Sequence, residues 1–179
     1  DRDAEIRFMR EALITARLQH PAIVPIYEAG RWPDGEPFYA MKLLAGKSLS
    51  DIVSERGALE SRLALLPNVI AVTEAIAYAH EHRVIHRDLK PANVMIGEFG
   101  ETIVIDWGLA KDLDADVPDA PAASREQTPS ALSHETVAGA VLGTPAYMPP
   151  EQAAGKRVDE RADVYALGAV LYHVLRGSM

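Results

Sequence analysis

The sequence predicts an α+β fold, and three observations predict it. Apolar residues recur at helical spacing in long stretches near the start, middle and end of the chain. Short β-rich runs bounded by turn residues lie between them. The 179 residues, 48% apolar and 25% charged, suffice for one domain with a sizeable core.

The first helix is expected over Asp3 to Leu18, with Ile6, Met9, Leu13 and Ala16 near the helical period, and His20-Pro21 stops it. Strands are expected over Ile23 to Tyr27 and Pro37 to Leu43, joined by turn chemistry at Arg31-Trp32-Pro33-Asp34-Gly35. Ser48 to Arg56 predicts a short helix with Ser48 as N-cap. A long helix covers at least Val69 to Glu81, with Val69, Val72, Ile76 and Ala79 on one face. Pro67 lacks an N–H, so that helix starts near Leu66 or kinks there. Val84-Ile85, Val94 to Ile96 and Thr102 to Ile105 are short strands, the last two forming a hairpin over Glu98-Phe99-Gly100-Glu101. Leu113 to Ser133 is rich in Ala, Pro, Asp and Ser and predicts a mobile loop. Glu160 to Arg176 predicts a last helix burying Val164, Leu167, Leu171, Val174 and Leu175. No internal repeat is present.

A net charge of −8 argues against nucleic acid as the main partner, since phosphate backbones demand a basic face. Without cysteine there is no disulfide framework and no thiolate metal site. No apolar run is expected to span a membrane, and no signal peptide opens the chain. Both ends are expected to continue into longer sequence.

The chemistry is concentrated in His86-Arg87-Asp88-Leu89-Lys90-Pro91-Ala92-Asn93, followed after twelve residues by Asp106-Trp107-Gly108. The first stretch offers a carboxylate, two cations and an amide; the second offers another carboxylate. Two compact motifs in this order point to phosphoryl transfer. The alternative is that Asp88 and Asn93 merely cap turns. His80, His82 and His86 look like a metal cluster, but the first two fall on different faces of a helix end, so zinc is not expected.

With Gly143-Thr144-Pro145-Ala146-Tyr147-Met148-Pro149-Pro150-Glu151 and Asp163-Val164-Tyr165-Ala166-Leu167-Gly168, these motifs resemble the bacterial serine/threonine protein kinases of the eukaryotic-like type over nearly the whole chain. The resemblance implies a partial N-lobe and hinge over 1–44, comprising one helix and two strands. It implies a mostly helical partial C-lobe over 45–179, with an activation segment at about 106–151. Neither a Gly-rich loop nor the ATP-binding Lys strand is in these 179 residues, nor are the C-terminal helices of the family.

By resemblance Asp88 is the catalytic base, Lys90 reaches the γ-phosphate of ATP, and Asn93 and Asp106 hold Mg²⁺. Thr144 bonds Asp88 and Lys90. Glu11 would pair with the ATP-binding Lys, while Met41, Lys42, Leu44 and Met95 surround adenine. Arg87 would clamp a phosphorylated loop, with Thr136 the best acceptor ahead of Thr128, Ser130 and Ser133. Glu151 would pair with an Arg of a later helix, and Asp163 would hold the catalytic-loop backbone. Thr15, Ile26, His86 and Trp107 would stack as a regulatory spine in which Thr15 is unusually polar. Trp107 replaces the commoner Phe, and Pro150 the commoner Ala.

The implied partners are protein substrates, with self-association for trans-autophosphorylation, in the cytoplasm. Two alternatives remain open: a pseudokinase or scaffold without turnover, and a small-molecule kinase. The second is disfavoured because Gly143 to Glu151 resembles a peptide-docking segment.

Overall fold

In the computed structural model, residues 2–114 and 144–178 are described. Helix α1 (Arg2–Ala16) packs against a hairpin of β1 (Ile26–Arg31) and β2 (Pro37–Met41), paired antiparallel. Of the expected apolar stripe of α1, Ile6 lies outside the described side chains and Met9 is half-buried. Leu13 is 59% exposed and Ala16 is exposed, while Ala12, Ile14 and Thr15 are buried. A polar residue can take that buried position because the Thr15 hydroxyl donates to the Glu11 carbonyl at 2.9 Å.

The strand expected at Ile23 to Tyr27 is split. Pro25 has no N–H for a ladder. Upstream of it, Ile23 makes one parallel bridge to Val104, and the Val24 and Val104 amides bond across that junction at 3.1 and 2.8 Å. Downstream, β1 runs on to Arg31, and the chain reverses through Gly35 at φ 91.

A three-stranded antiparallel sheet follows, in the order β3 (Lys47–Ser48), β5 (Val94–Ile96), β6 (Thr102–Val104). The β5–β6 hairpin is the expected one; β3 is too short to carry a period. Ser48 caps α2 (Leu49–Glu55), its Oγ accepting the Asp51 amide at 3.1 Å. Helix α3 (Leu59–Leu63) was not anticipated. Helix α4 (Leu66–Glu81) starts at Leu66, so Pro67 falls in the first turn, where its missing N–H has no intrahelical partner to lose.

Beyond α4, β4 (Val84–Ile85) pairs antiparallel with β7 (Lys111–Asp112). A one-turn helix α5 (Pro150–Ala153) precedes α6 (Arg161–Arg176). The core lies where α4 meets α6 and the β5–β6 sheet. Val69, Val72, Ala75, Ile76 and Ala79 pack there with Val170, Val174 and Val104.

The buried face of α6 also differs from expectation. Ala162, Asp163, Ala166, Val170 and Val174 are buried, whereas Val164 is 58% exposed and Leu171 and Leu175 are partly exposed. Small residues at 162 and 166 let α6 come close to the chain beneath, and Asp163 is drawn inward by the hydrogen bonds described below. Buried Arg62 of α3 donates to the Val174 and Leu175 carbonyls at 3.0 Å each, serving the C-terminal end of α6.

Leu59 to Glu81 is long and apolar enough to cross a membrane by length and composition, against the sequence expectation. It is broken between α3 and α4, and α4 turns Val69, Val72, Ala75, Ile76 and Ala79 into the core.

Candidate active site

The loop after β4 is built on one buried carboxylate. Asp163, at the start of α6, is 1% exposed. Its Oδ2 accepts the His86 amide at 2.8 Å, and its Oδ1 accepts the Arg87 amide at 2.9 Å. His80 of α4 donates its Nε2–H to the same Oδ2 at 2.8 Å. A carboxylate only accepts, so the His80 tautomer follows. Three donors satisfy a buried charge that would otherwise be costly. His80 is a residue that sequence reasoning passed over as a helix-end histidine.

These bonds hold Arg87 at φ 66, a left-handed conformation that an L side chain rarely adopts. The Arg87 guanidinium reaches the Leu109 carbonyl at 2.6 Å, just beyond Asp106-Trp107-Gly108. Fully buried His86 is fixed at both ring nitrogens. Nδ1 accepts the Asp88 amide at 3.3 Å, so Nε2 carries the proton and faces the Ile105 carbonyl at 3.2 Å.

Asp88 then points into a ring of donors. Lys90 Nζ lies 2.8 Å from its Oδ2 and the Thr144 amide 3.3 Å from its Oδ1. The Asn93 side-chain nitrogen donates to the Asp88 carbonyl at 2.9 Å and stands 3.4 Å from Oδ2. Buried Leu89 and the turn Pro91–Asn93 anchor the loop from below. Thr144 meets Asp88 through its backbone amide, where the sequence reading had it bonding both Asp88 and Lys90.

Asp106 is exposed, at φ 61, and follows Ile105, whose amide donates to the Asn93 carbonyl at 3.0 Å. Its Oδ1 accepts the Gly108 amide at a long 3.4 Å. Glu11 approaches the same turn: a β-carbon added at Gly108 would stand 3.2 Å from both Asp106 Oδ1 and Glu11 Oε2. The Tyr39 hydroxyl of β2 is 3.5 Å from Glu11 Oε1. Burial, with the Glu11 and Asp106 carboxylates nearby, pushes the Tyr39 phenol up. Tyr39 is a second residue the sequence did not single out, since one aromatic in a strand carries no signal.

Trp107 is 1% exposed and its ring packs on His86 with centroids 4.6 Å apart. Buried Thr15 is satisfied within its own helix. The indole Nε1 has no hydrogen-bond partner among the described residues.

Met41 ends β2 opposite Ile26, and Met95 lies half-buried on β5 opposite Ile103. The Lys42 amide is already engaged, donating to the Pro25 carbonyl at 3.2 Å. Any adenine contact from Lys42 therefore falls to its carbonyl, whereas the Leu44 amide has no protein acceptor among the described residues.

Glu151 lies in the first turn of α5 and makes no side-chain ion pair among the described residues; Arg161 is close enough to feel its charge. Thr136, with Thr128, Ser130 and Ser133, lies outside the described residues. His82 bonds the Tyr78 carbonyl at 2.9 Å, and the described residues hold no metal-binding cluster of three His, Cys, Asp or Glu.

The Asp88 carboxylate, held by Lys90, Asn93 and Thr144, is the centre of the candidate site. The protein kinase domain model matches residues 1–179, and the chain belongs to the protein kinase family. It is 39% identical over 180 residues to the serine/threonine-protein kinase PknD of Protochlamydia amoebophila, covering 94% of this chain and 18% of that protein. It is 40% identical to the DNA damage-responsive serine/threonine-protein kinase RqkA of Deinococcus radiodurans (96% of this chain, 24% of that protein). To the serine/threonine-protein kinase PknB of Mycolicibacterium smegmatis it is 41% identical (96% and 25%). The chain thus spans a fifth to a quarter of the length of these relatives.

Proposed function

We propose that this chain supplies the acceptor-activating and metal-holding part of an ATP-dependent protein serine/threonine kinase. The observation that carries the reading is the Asp88 carboxylate, held between Lys90 and Asn93 and approached by the Thr144 amide.

Asp88 orients the acceptor hydroxyl of a protein Ser or Thr and takes its proton as the oxygen attacks the γ-phosphorus of ATP, while the bond from that phosphorus to the β,γ-bridging oxygen breaks and ADP leaves. Lys90, 2.8 Å from Asp88, follows the negative charge onto the transferring phosphoryl oxygens. The donor set fits Mg²⁺. The Asn93 amide nitrogen is committed to Asp88, which leaves its oxygen for a cation, and the Asp106 carboxylate is exposed. Two hard oxygen ligands suit an ion that keeps water and phosphate in its shell. A Mg²⁺ held by Asn93 and Asp106 would supply neutralisation of the phosphate charge.

The Leu44 amide and Lys42 carbonyl meet the adenine edge, between Met41 and Met95. Glu11 anchors a lysine that these 179 residues do not contain. Arg87 reads phosphorylation of the activation segment, with Thr136 as acceptor, and Glu151 braces its end. Residues 1–44 act as N-lobe and hinge, and 45–179 as C-lobe. The working partners are protein substrates and a second copy for trans-autophosphorylation, and the setting is the cytoplasm.

The test is phosphorylation of a generic protein substrate by the complete gene product. Asp88→Asn is expected to lower kcat by about 100-fold or more, with ATP binding retained. Unchanged turnover in that variant would sink the reading. The 179 residues by themselves are expected to turn over negligibly.

A further inference from the structure

Gln152 is a residue to which neither the motifs nor the proposed chemistry gives a role. It sits in α5, whose four residues follow directly on the stretch that carries Thr144. Its Nε2 donates to the Arg87 carbonyl at 2.7 Å.

The Arg87–Asp88 peptide plane has two polar atoms. Gln152 holds the carbonyl, and His86 Nδ1 accepts the Asp88 N–H at 3.3 Å. The preceding plane is fixed separately, through the Arg87 amide on Asp163. The clamped plane leaves a residue at φ 66, a left-handed well that an L side chain rarely adopts. Released, it would relax by rotating, and the Asp88 α-carbon rides on its far end. A carboxylate displaced by about 1 Å can lose roughly 100-fold in rate.

We propose that Gln152 is a positioning residue for the phosphoryl transfer: it clamps the Arg87–Asp88 peptide plane and so aims the Asp88 carboxylate. One short stretch of chain then meets the base twice, Thr144 at the carboxylate and Gln152 at the peptide behind it. A shift of α5 is felt at Asp88. The inference rests on the kinase reading of Asp88.

The test uses the complete gene product with Gln152→Leu and Gln152→Glu. The first removes the donor at similar size, and kcat is expected to fall about tenfold or more, with KM for ATP within about twofold of wild type. In the second, an ionised carboxylate cannot donate to a carbonyl but the neutral acid can. Its activity relative to wild type is therefore expected to be low at pH 8 and to recover as the pH falls toward 5. A Gln152→Leu variant with wild-type kcat, or a Gln152→Glu deficit that does not change with pH, overturns the proposal.

Amide exchange at Asp88 separates this failure from failure of the kinase reading. If wild type has no turnover but Asp88 exchanges faster in Gln152→Leu, the clamp stands and the kinase reading falls. If wild type turns over and neither exchange nor kcat responds, the clamp falls.

Discussion

Arg87 and Asp106 are both left-handed, at φ 66 and 61, and both flank the same site, yet the fold holds them by different means. Arg87 is tied at its amide by Asp163, at its carbonyl by Gln152 and at its guanidinium by the Leu109 carbonyl. Asp106 has a long 3.4 Å bond from the Gly108 amide to its own carboxylate, and the burial of Trp107 behind it. The difference suits the two tasks proposed for them. A base must be aimed before its substrate arrives, because misaim is paid in rate. A metal ligand can take its final position from the cation it binds.

The largest effect should come from cutting the tight side at its root. Asp163→Ala leaves the His86 and Arg87 amides and the His80 ring without their buried acceptor, at about 1–3 kcal/mol for each unsatisfied donor. Denaturant unfolding should record a loss of about 3–5 kcal/mol. A loss below about 1 kcal/mol would mean that the loop is not held from α6.

On the loose side the expectation is smaller and depends on the substituent. Asp106→Asn keeps a residue tolerant of positive φ, and its stability should stay within about 0.5 kcal/mol of wild type. Asp106→Ala should cost about 1–2 kcal/mol more, because alanine is strained in that well. Both variants should weaken Mg²⁺ binding in a titration followed by calorimetry. If Asp106→Asn unfolds as easily as Asp163→Ala, the contrast between the two sides is wrong.

The smallest effect is a pH dependence on the tight side. The Tyr147 hydroxyl and His173 Nδ1 are 2.6 Å apart, propping the stretch that presents Thr144 to Asp88. Burial holds the His173 imidazole below its ordinary 6.5. Below about pH 6.5 the unfolded chain therefore binds more protons at this residue than the folded one does. The linkage makes stability rise with pH there, and the contribution of His173 levels off above 6.5. His173→Asn, which keeps an acceptor for Tyr147 but does not titrate, should flatten that slope in thermal melts between pH 5 and 7. An unchanged slope would assign it to another group.

Much of the site was legible because its parts are close in sequence. His86 to Asn93 and Asp106 to Gly108 bring their own turn chemistry, and a family resemblance fixed their order. The long period of α4 marked its buried face correctly, since every fourth or third residue of Val69, Val72, Ile76 and Ala79 meets the core. The same reasoning missed Ala12, Ile14 and Thr15 on α1 and held only in part on α6, where Val174 is buried as expected. There the buried positions go to Thr15 and Asp163, polar residues whose hydrogen bonds offset their burial, and to small alanines. Apolar periodicity cannot detect a polar residue satisfied by a distant partner. Nor can it detect two-residue strands such as β3, which exist through what they pair with.

By itself, then, the sequence determined which reactive groups the protein has, their order along the chain and the family they belong to. Local spacing constrains local geometry, and the motifs are local. Only the tertiary structure decided how those groups are aimed. The amides of His86 and Arg87 found their acceptor 77 and 76 residues away, on a helix whose packing against α4 brings Asp163 beneath the loop. A buried backbone N–H is costly without a partner, but which residue supplies it follows from how the helices pack.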